Sequence, residues 1–272
     1  MAEPGLVDTG RIYGRLISAR IRSDWQYRTS FVMFSIGQFM ASFVDFLAIA
    51  VIFGQIDSLA GWSVAEVALL YGMSGVAFNI SDVFVSPIEM LSVRIRTGTF
   101  DRVLTRPLGA LVQVVAEEFA LRRFGKLVQA AIVLGVAVVA VDADWNVARA
   151  VMLVVAVAAG AVIFSSVWVI GATLGFWTTE GGEVVNSVTY GGNFLTQYPI
   201  SIYGRWLRRL LAFAIPLAFV AYYPALFILD RGDPFGAPHW VRFISPLIAV
   251  AMALVARATW NFGIRHYRST GS

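Results

Sequence analysis

From Ala150 to Thr179 the chain runs thirty residues without a charged side chain. Few folds can use such a stretch. A helix rises about 1.5 Å per residue, so about 20 apolar residues match a hydrocarbon core about 30 Å thick. Leu210–Leu229 is likewise uncharged over span length. With 58% hydrophobic and 14% charged residues and a mean hydropathy of +0.72, the chain lies outside the range of soluble domains. The runs are continuous, without period-2 alternation, which favours helices over a barrel.

The expected fold is an all-α polytopic membrane protein, one transmembrane domain over residues 1–272 with six transmembrane helices. These are placed at Phe31–Gly54, Ala65–Val85, Leu121–Val141, Ala150–Phe176, Leu210–Leu229 and Phe243–Asn261. The shorter third and sixth runs reach span length when Arg123, Lys126 and Arg257 snorkel to the headgroups. The first 29 residues are too polar and basic for a cleaved signal, so the first span is expected to direct insertion.

Charge sets the orientation. If both termini are cytoplasmic, 18 of the 21 basic residues fall on the cytoplasmic side: Arg11 to Arg28, Arg94 to Lys126, Arg205 to Arg209, and Arg257 to Arg268. Only Arg149, Arg231 and Arg242 fall opposite. That is the positive-inside pattern. The net charge of +4 thus reflects contact with the lipid bilayer, and no nucleic-acid partner is expected.

Three segments outside the spans carry pattern. Residues 1–29 contain an amphipathic stretch in which Tyr13, Ile17, Ile21 and Trp25 recur every four residues, as in a helix lying in the membrane interface. Residues 86–110 form the cytoplasmic link between spans two and three. There Thr99 is expected to cap a short helix with Asp101 in its first turn and Arg106 stopped by Pro107. Phe100, Val103 and Leu104, at i, i+3 and i+4, then make an apolar knob flanked by Arg102 and Arg106, suited to docking in a partner's groove. Residues 222–240 form the third, where Tyr222, Tyr223 and Pro224 are expected to break span five and start a re-entrant element between spans five and six. The uncharged, Asn- and Thr-rich stretch 184–204 is placed on the cytoplasmic side or as partly re-entrant.

Chemistry is scarce. There is no cysteine, which excludes disulfides, thiol catalysis and Cys-ligated metal. HExxH, GxSxG and Walker-type loops are absent, so neither catalysis nor nucleotide or metal binding is expected of this chain. Asp45 in the first span, and Asn79 and Asp82 in the second, are polar groups at membrane depth; an unpaired charge there costs at least about 2.5 kcal/mol. Each serves either helix packing or a transport path. An ion- or proton-coupled carrier is the alternative reading, although no internal repeat supports it.

Several motifs together resemble a known family. They are Arg96-Thr-Gly-Thr-Phe-Asp-Arg-Val-Leu-Thr-Arg-Pro-Leu-Gly with Gln113 and Glu117-Glu118-Phe119, Gln197-Tyr-Pro-Ile-Ser-Ile-Tyr-Gly, Ile215-Pro-Leu-Ala-Phe-Val-Ala-Tyr-Tyr-Pro-Ala, and Trp260-Asn-Phe-Gly-Ile-Arg-His-Tyr. Over nearly its whole length the chain is similar to the bacterial ABC type-2 exporter permeases of the multidrug or antibiotic type. The resemblance implies a six-span permease in the bacterial inner (plasma) membrane, paired with a second copy or a paralogous permease. It implies a separate ABC ATPase subunit that binds ATP and Mg and docks on Thr99–Leu104 and Arg106. It also implies an amphipathic or lipophilic cargo, with Tyr222, Tyr223 and Pro224 as an extracellular gate.

Overall fold

The structure, a computed structural model, describes residues 28–56, 58–106, 108–116, 123–178 and 181–267, together with Gly14, Ser18 and Arg22. The stripe Tyr13, Ile17, Ile21 and Trp25 expected in the interface lies outside the described residues, as does Pro107. Among the described residues the chain is helical and has no named strand. The long helices are α1 (Arg28–Phe53) and α2 (Val64–Val85), which a 3₁₀ turn, Ser86–Met90, joins to the short α3 (Leu91–Arg96). Then come α4 (Phe100–Leu104), α5 (Ala110–Ala116), α6 (Phe124–Ala140), α7 (Val147–Thr173) and α8 (Gly181–Thr196). The chain ends in α9 (Arg205–Arg209), α10 (Tyr222–Ile228) and α11 (Ser245–His266).

Four helices are long and apolar enough to cross a bilayer: Thr29–Ile49, Val64–Arg96, Val147–Phe176 and Ser245–His266. A fifth is counted if the bent pair Arg205–Ala214 and Leu217–Ile228 is taken as one span. The third expected span corresponds to the 17-residue apolar helix α6, which is shorter than those four and is not counted with them.

α2 is the axis of the fold. Its membrane-length window is 83% buried, whereas that of α1 is 6% buried despite a higher hydropathy. In lipid, apolar surface gains nothing by leaving hydrocarbon, so small residues and interhelical hydrogen bonds decide which helix sits inside. α2 has both. A methyl added to Gly72 would lie 2.6 Å from Leu134 Cα, and one on Gly75 would lie 3.1 Å from Ala130 Cβ, so α6 closes directly onto the α2 backbone. Ser81 donates to Ala161 O at 2.6 Å, tying α2 to α7. Phe78 fills the remaining space against Phe164, Trp168 and Tyr190, with ring centroids 5.0–5.4 Å apart.

The contacts define two ends of the bundle. At the first, Phe100 of α4 packs on Phe176 and Tyr267, beyond the ends of α7 and α11. At the second, Arg231 donates to Glu66 Oε2 (2.7 Å) and Gly61 O (2.6 Å), and Arg149 lies 3.9 Å from Asp230, joining the starts of α2 and α7 to the end of α10.

This geometry corrects the expected fifth span. The sequence reading runs Leu210–Leu229 from end to end and puts Arg205, Arg208 and Arg209 with the coupling segment. Instead the Arg208 guanidinium lies 3.9 Å over the Phe235 ring, at the second end. α9 continues through a π-turn, Leu210–Ala214, and bends by 77° before Leu217–Ile228. Val220 meets Gly160, at the middle of α7, and α10 climbs from there back to Asp230 at the second end. α8 runs inward from the first end. Val185 packs against Gly171, and Asn193 and Thr196 reach Ser74 at the middle of α2. The polarity of 184–204 disguised this helix; its hydroxyls are satisfied internally, Thr189 by Val185 O and Thr196 by Asn193 O.

The break also lies elsewhere than expected. Pro224 is the third residue of α10, where its missing N–H is one of the orphans of a first helical turn, so it is accommodated. The chain turns at Ile215 (φ −125°, ψ 94°) and Pro216, one turn before the tyrosine pair.

Candidate functional site

The segment after α3 is held from inside. Thr97 Oγ1 donates to Val93 O at 2.9 Å, closing α3, and Gly98 takes φ 69°, a left-handed turn that suits glycine. Thr99 does not cap α4; its backbone is already helical and its hydroxyl donates back to Arg94 O at 3.3 Å. Phe100 is wholly buried, its ring 5.5 Å from Phe176 and 5.1 Å from Tyr267, and Val103 is buried beside it. Gln113 Nε2 donates to Val103 O (3.0 Å) and Leu108 O (2.7 Å), pinning the far side.

The expected apolar knob is therefore turned inward at two of its three residues. Phe100 and Val103 seat α4 on its own bundle, leaving Leu104, 41% exposed, with Thr99, Arg102 and Arg106 on the outer face. Asp101 faces the tail, where the Tyr267 hydroxyl donates to Oδ1 at 2.9 Å. Burial, and the Asp101 carboxylate it serves, push the Tyr267 phenol up to about 12.

Directly behind this segment lies a cluster that sequence reasoning only half found. Asp82, at the end of α2, is wholly buried and pairs with Arg123, which leads into α6. The same guanidinium has its second nitrogen 3.8 Å from Glu89 Oε2, in the 3₁₀ turn leading to α3. Glu89 Oε1 accepts from Trp168 Nε1 of α7 at 2.8 Å and from the Tyr190 hydroxyl of α8 at 3.3 Å. Two carboxylates thus share one guanidinium, and Asp82 Oδ2 is buried without a partner. The cluster joins α2, α6, α7 and α8 at the root of the segment that carries α4. Its residues lie scattered from 82 to 190; the usable sequence signal was a second acid, Glu89, seven residues after Asp82.

The other polar candidates separate. Asn79 donates to Gly75 O (2.8 Å) and Lys126 O (3.4 Å), a helix-packing arrangement. Asp45 is exposed on α1. Tyr222 and Tyr223 are buried; Tyr222 donates to Asp233 Oδ1 at 3.2 Å and packs 5.9 Å from Trp62. Pro224 is buried with them.

No group of three or more potential metal ligands occurs among the described residues. What the architecture defines is a multi-pass helical membrane protein whose ionisable groups hold helices together at the root of the segment that carries α4. The chain belongs to the ABC-2 family of transporter proteins, whose model matches residues 39–271. Comparison with curated proteins and with solved structures returns no match.

Proposed function

We propose that this chain is the permease subunit of an ATP-driven exporter in the bacterial inner membrane, moving an amphipathic or lipophilic molecule. The observation that carries the reading is the family match over residues 39–271 in a chain lacking any nucleotide-binding loop. ATP and Mg then belong to a separate ATPase subunit. Six crossings are proposed, with α6 as the third and α8 with its continuation as the fifth. The end bearing α4 is cytoplasmic.

On this reading the ATPase docks on Leu104, Arg102, Arg106 and Thr99. Force passes inward through Phe100 and the Asp82–Arg123–Glu89 cluster to α2. Asp45 supports a second permease, a copy or a paralogue, because an exposed carboxylate at span depth is costly against lipid. Tyr222, Tyr223 and Pro224 form the closed wall of an outward gate whose hinge is Ile215–Pro216.

The test is co-purification. An ATPase subunit should be retained by the wild-type permease and lost with Leu104→Asp combined with Arg102→Glu, while the permease still inserts in the membrane. Retention by the double variant would remove the docking assignment. The unequal pairing of Asp82 and Glu89 with Arg123 favours one other reading, a proton-coupled carrier. Transport driven by an ion gradient in liposomes without any ATPase would support that instead.

A further inference from the structure

α9 places three arginines, Arg205, Arg208 and Arg209, at i, i+3 and i+4 on one face, and all three line a single cavity of about 610 Å³ at the second end. That volume is typical of small-molecule sites. Much of the remaining lining is apolar and aromatic, including Phe213, Tyr223, Trp240 and Ile244. Asp233 is the one acid lining it. Both of its carboxylate oxygens are engaged, Oδ1 by the Tyr222 hydroxyl and Oδ2 by the Ala237 N–H at 2.9 Å. None of the three arginines has an ion-pair partner among the described residues. Arg208 is oriented by the Phe235 ring beneath it rather than by an acid.

A net-positive cluster of three arginines to one acid at this end runs against the charge bias that orients the chain, so orientation does not explain it. Guanidinium groups are suited to phosphate because their planar donors fit its oxygens. The lining points to the rest of the ligand. Phe213 is 84% exposed and Trp240 62% exposed, so the cavity mouth is bordered by apolar surface that water would not favour. A free anion would leave that surface uncovered, whereas an acyl chain would cover it.

We propose that this cavity holds the phosphate headgroup of an anionic phospholipid drawn from the leaflet at the second end, with its chain along Phe213 and Trp240. The site lies beside the hinge Ile215–Pro216, so its occupancy bears on the bend between α9 and α10. The inference does not rest on the exporter reading; it would hold for a carrier of the same fold.

The chain has no cysteine, so one can be placed for labelling without background. Trp206 is 74% exposed, on α9 but outside the cavity lining. A fluorophore at Trp206→Cys, in nanodiscs of the full chain, reports quenching by nitroxide-chain phosphatidylglycerol or by the matching phosphatidylcholine. Each basic residue near an anionic surface is worth about a fivefold change in affinity. Phosphatidylglycerol should therefore quench at a mole fraction at least about tenfold lower than phosphatidylcholine. Arg205→Gln/Arg208→Gln/Arg209→Gln should remove that preference, while a Lys triple variant should keep most of it. Single Gln variants, each with a several-fold loss, serve if the triple variant does not fold. Equal quenching by the two lipids, or a preference that survives neutralisation, would overturn the proposal. Collapse of the preference in millimolar inorganic phosphate would assign the site to a free anion and likewise overturn it.

Discussion

Arg123→Met removes the guanidinium from the cluster beneath α4 and leaves Asp82, wholly buried, with the Tyr190 hydroxyl as its remaining side-chain hydrogen-bond donor. Breaking one side of a buried pair costs about 3–5 kcal/mol, most of it the penalty of the abandoned charge. For a chain of this size, about 1 kcal/mol lowers Tm by roughly 2–4 °C. Thermal unfolding of the purified permease in detergent should thus shift down by roughly 10 °C. The companion variant Asp82→Asn/Arg123→Met removes both charges of the close pair and should recover most of that loss, since Glu89, 3.8 Å from the guanidinium, keeps its Trp168 and Tyr190 donors. The double-mutant cycle should give a coupling of at least about 2 kcal/mol, above the sub-kcal scatter of independent sites. An Arg123→Met protein within about 1 kcal/mol of wild type, or a double variant less stable than both single ones, would refute the view that the pair locks these helices.

Three further outcomes follow from the same geometry. Phe100→Asp should destabilise or abolish folding, because it sets a carboxylate between Phe176 and Tyr267, whereas Leu104→Asp should leave stability within about 0.5 kcal/mol of wild type; equal Tm values would show that Phe100 is not seated inward. Gly72→Leu should lower Tm by several degrees through separation of α2 from α6, since even a methyl would meet the Leu134 backbone at 2.6 Å, and a cysteine cross-link between the two helices would report the separation directly. Tyr267 has a folded pKa raised above its usual value of 10, so its contribution to stability is complete below pH 10 and is lost as pH rises towards 12. In unfolding scans Tyr267→Phe should differ from wild type by about 1 kcal/mol near neutral pH, and that difference should vanish at the alkaline end of the range.

The apolar runs made the class and most helices legible, because a residue's fitness for hydrocarbon is nearly a local property. Partners were not. Phe100, Val103 and Leu104 share a face by spacing alone, and spacing does not say whether that face meets a second protein or the chain's own tail; Phe176 and Tyr267, 76 and 167 residues away, decide it. Hydropathy passed over α8 because it counts Thr and Asn as polar, whereas Thr189 and Thr196 satisfy their hydroxyls on carbonyls of α8 itself. The run Leu210–Leu229 looked like one span because it is uncharged and its two prolines, Pro216 and Pro224, are compatible with a kinked one. What turns the chain there is the pairing of Val220 with Gly160 and of Asp230 with Arg149, neither of them local. Asp82 was found as an acid at depth; Glu89, Tyr190 and Trp168 were not, since they converge only through the crossing of four helices.

The most direct test of the account is transport by purified permease in proteoliposomes, with and without an added ATPase subunit, using a fluorescent amphipath as probe. The account predicts probe movement only when the ATPase and ATP are both present, and its loss with Leu104→Asp/Arg102→Glu. Movement driven by a proton or ion gradient through the permease alone would contradict it.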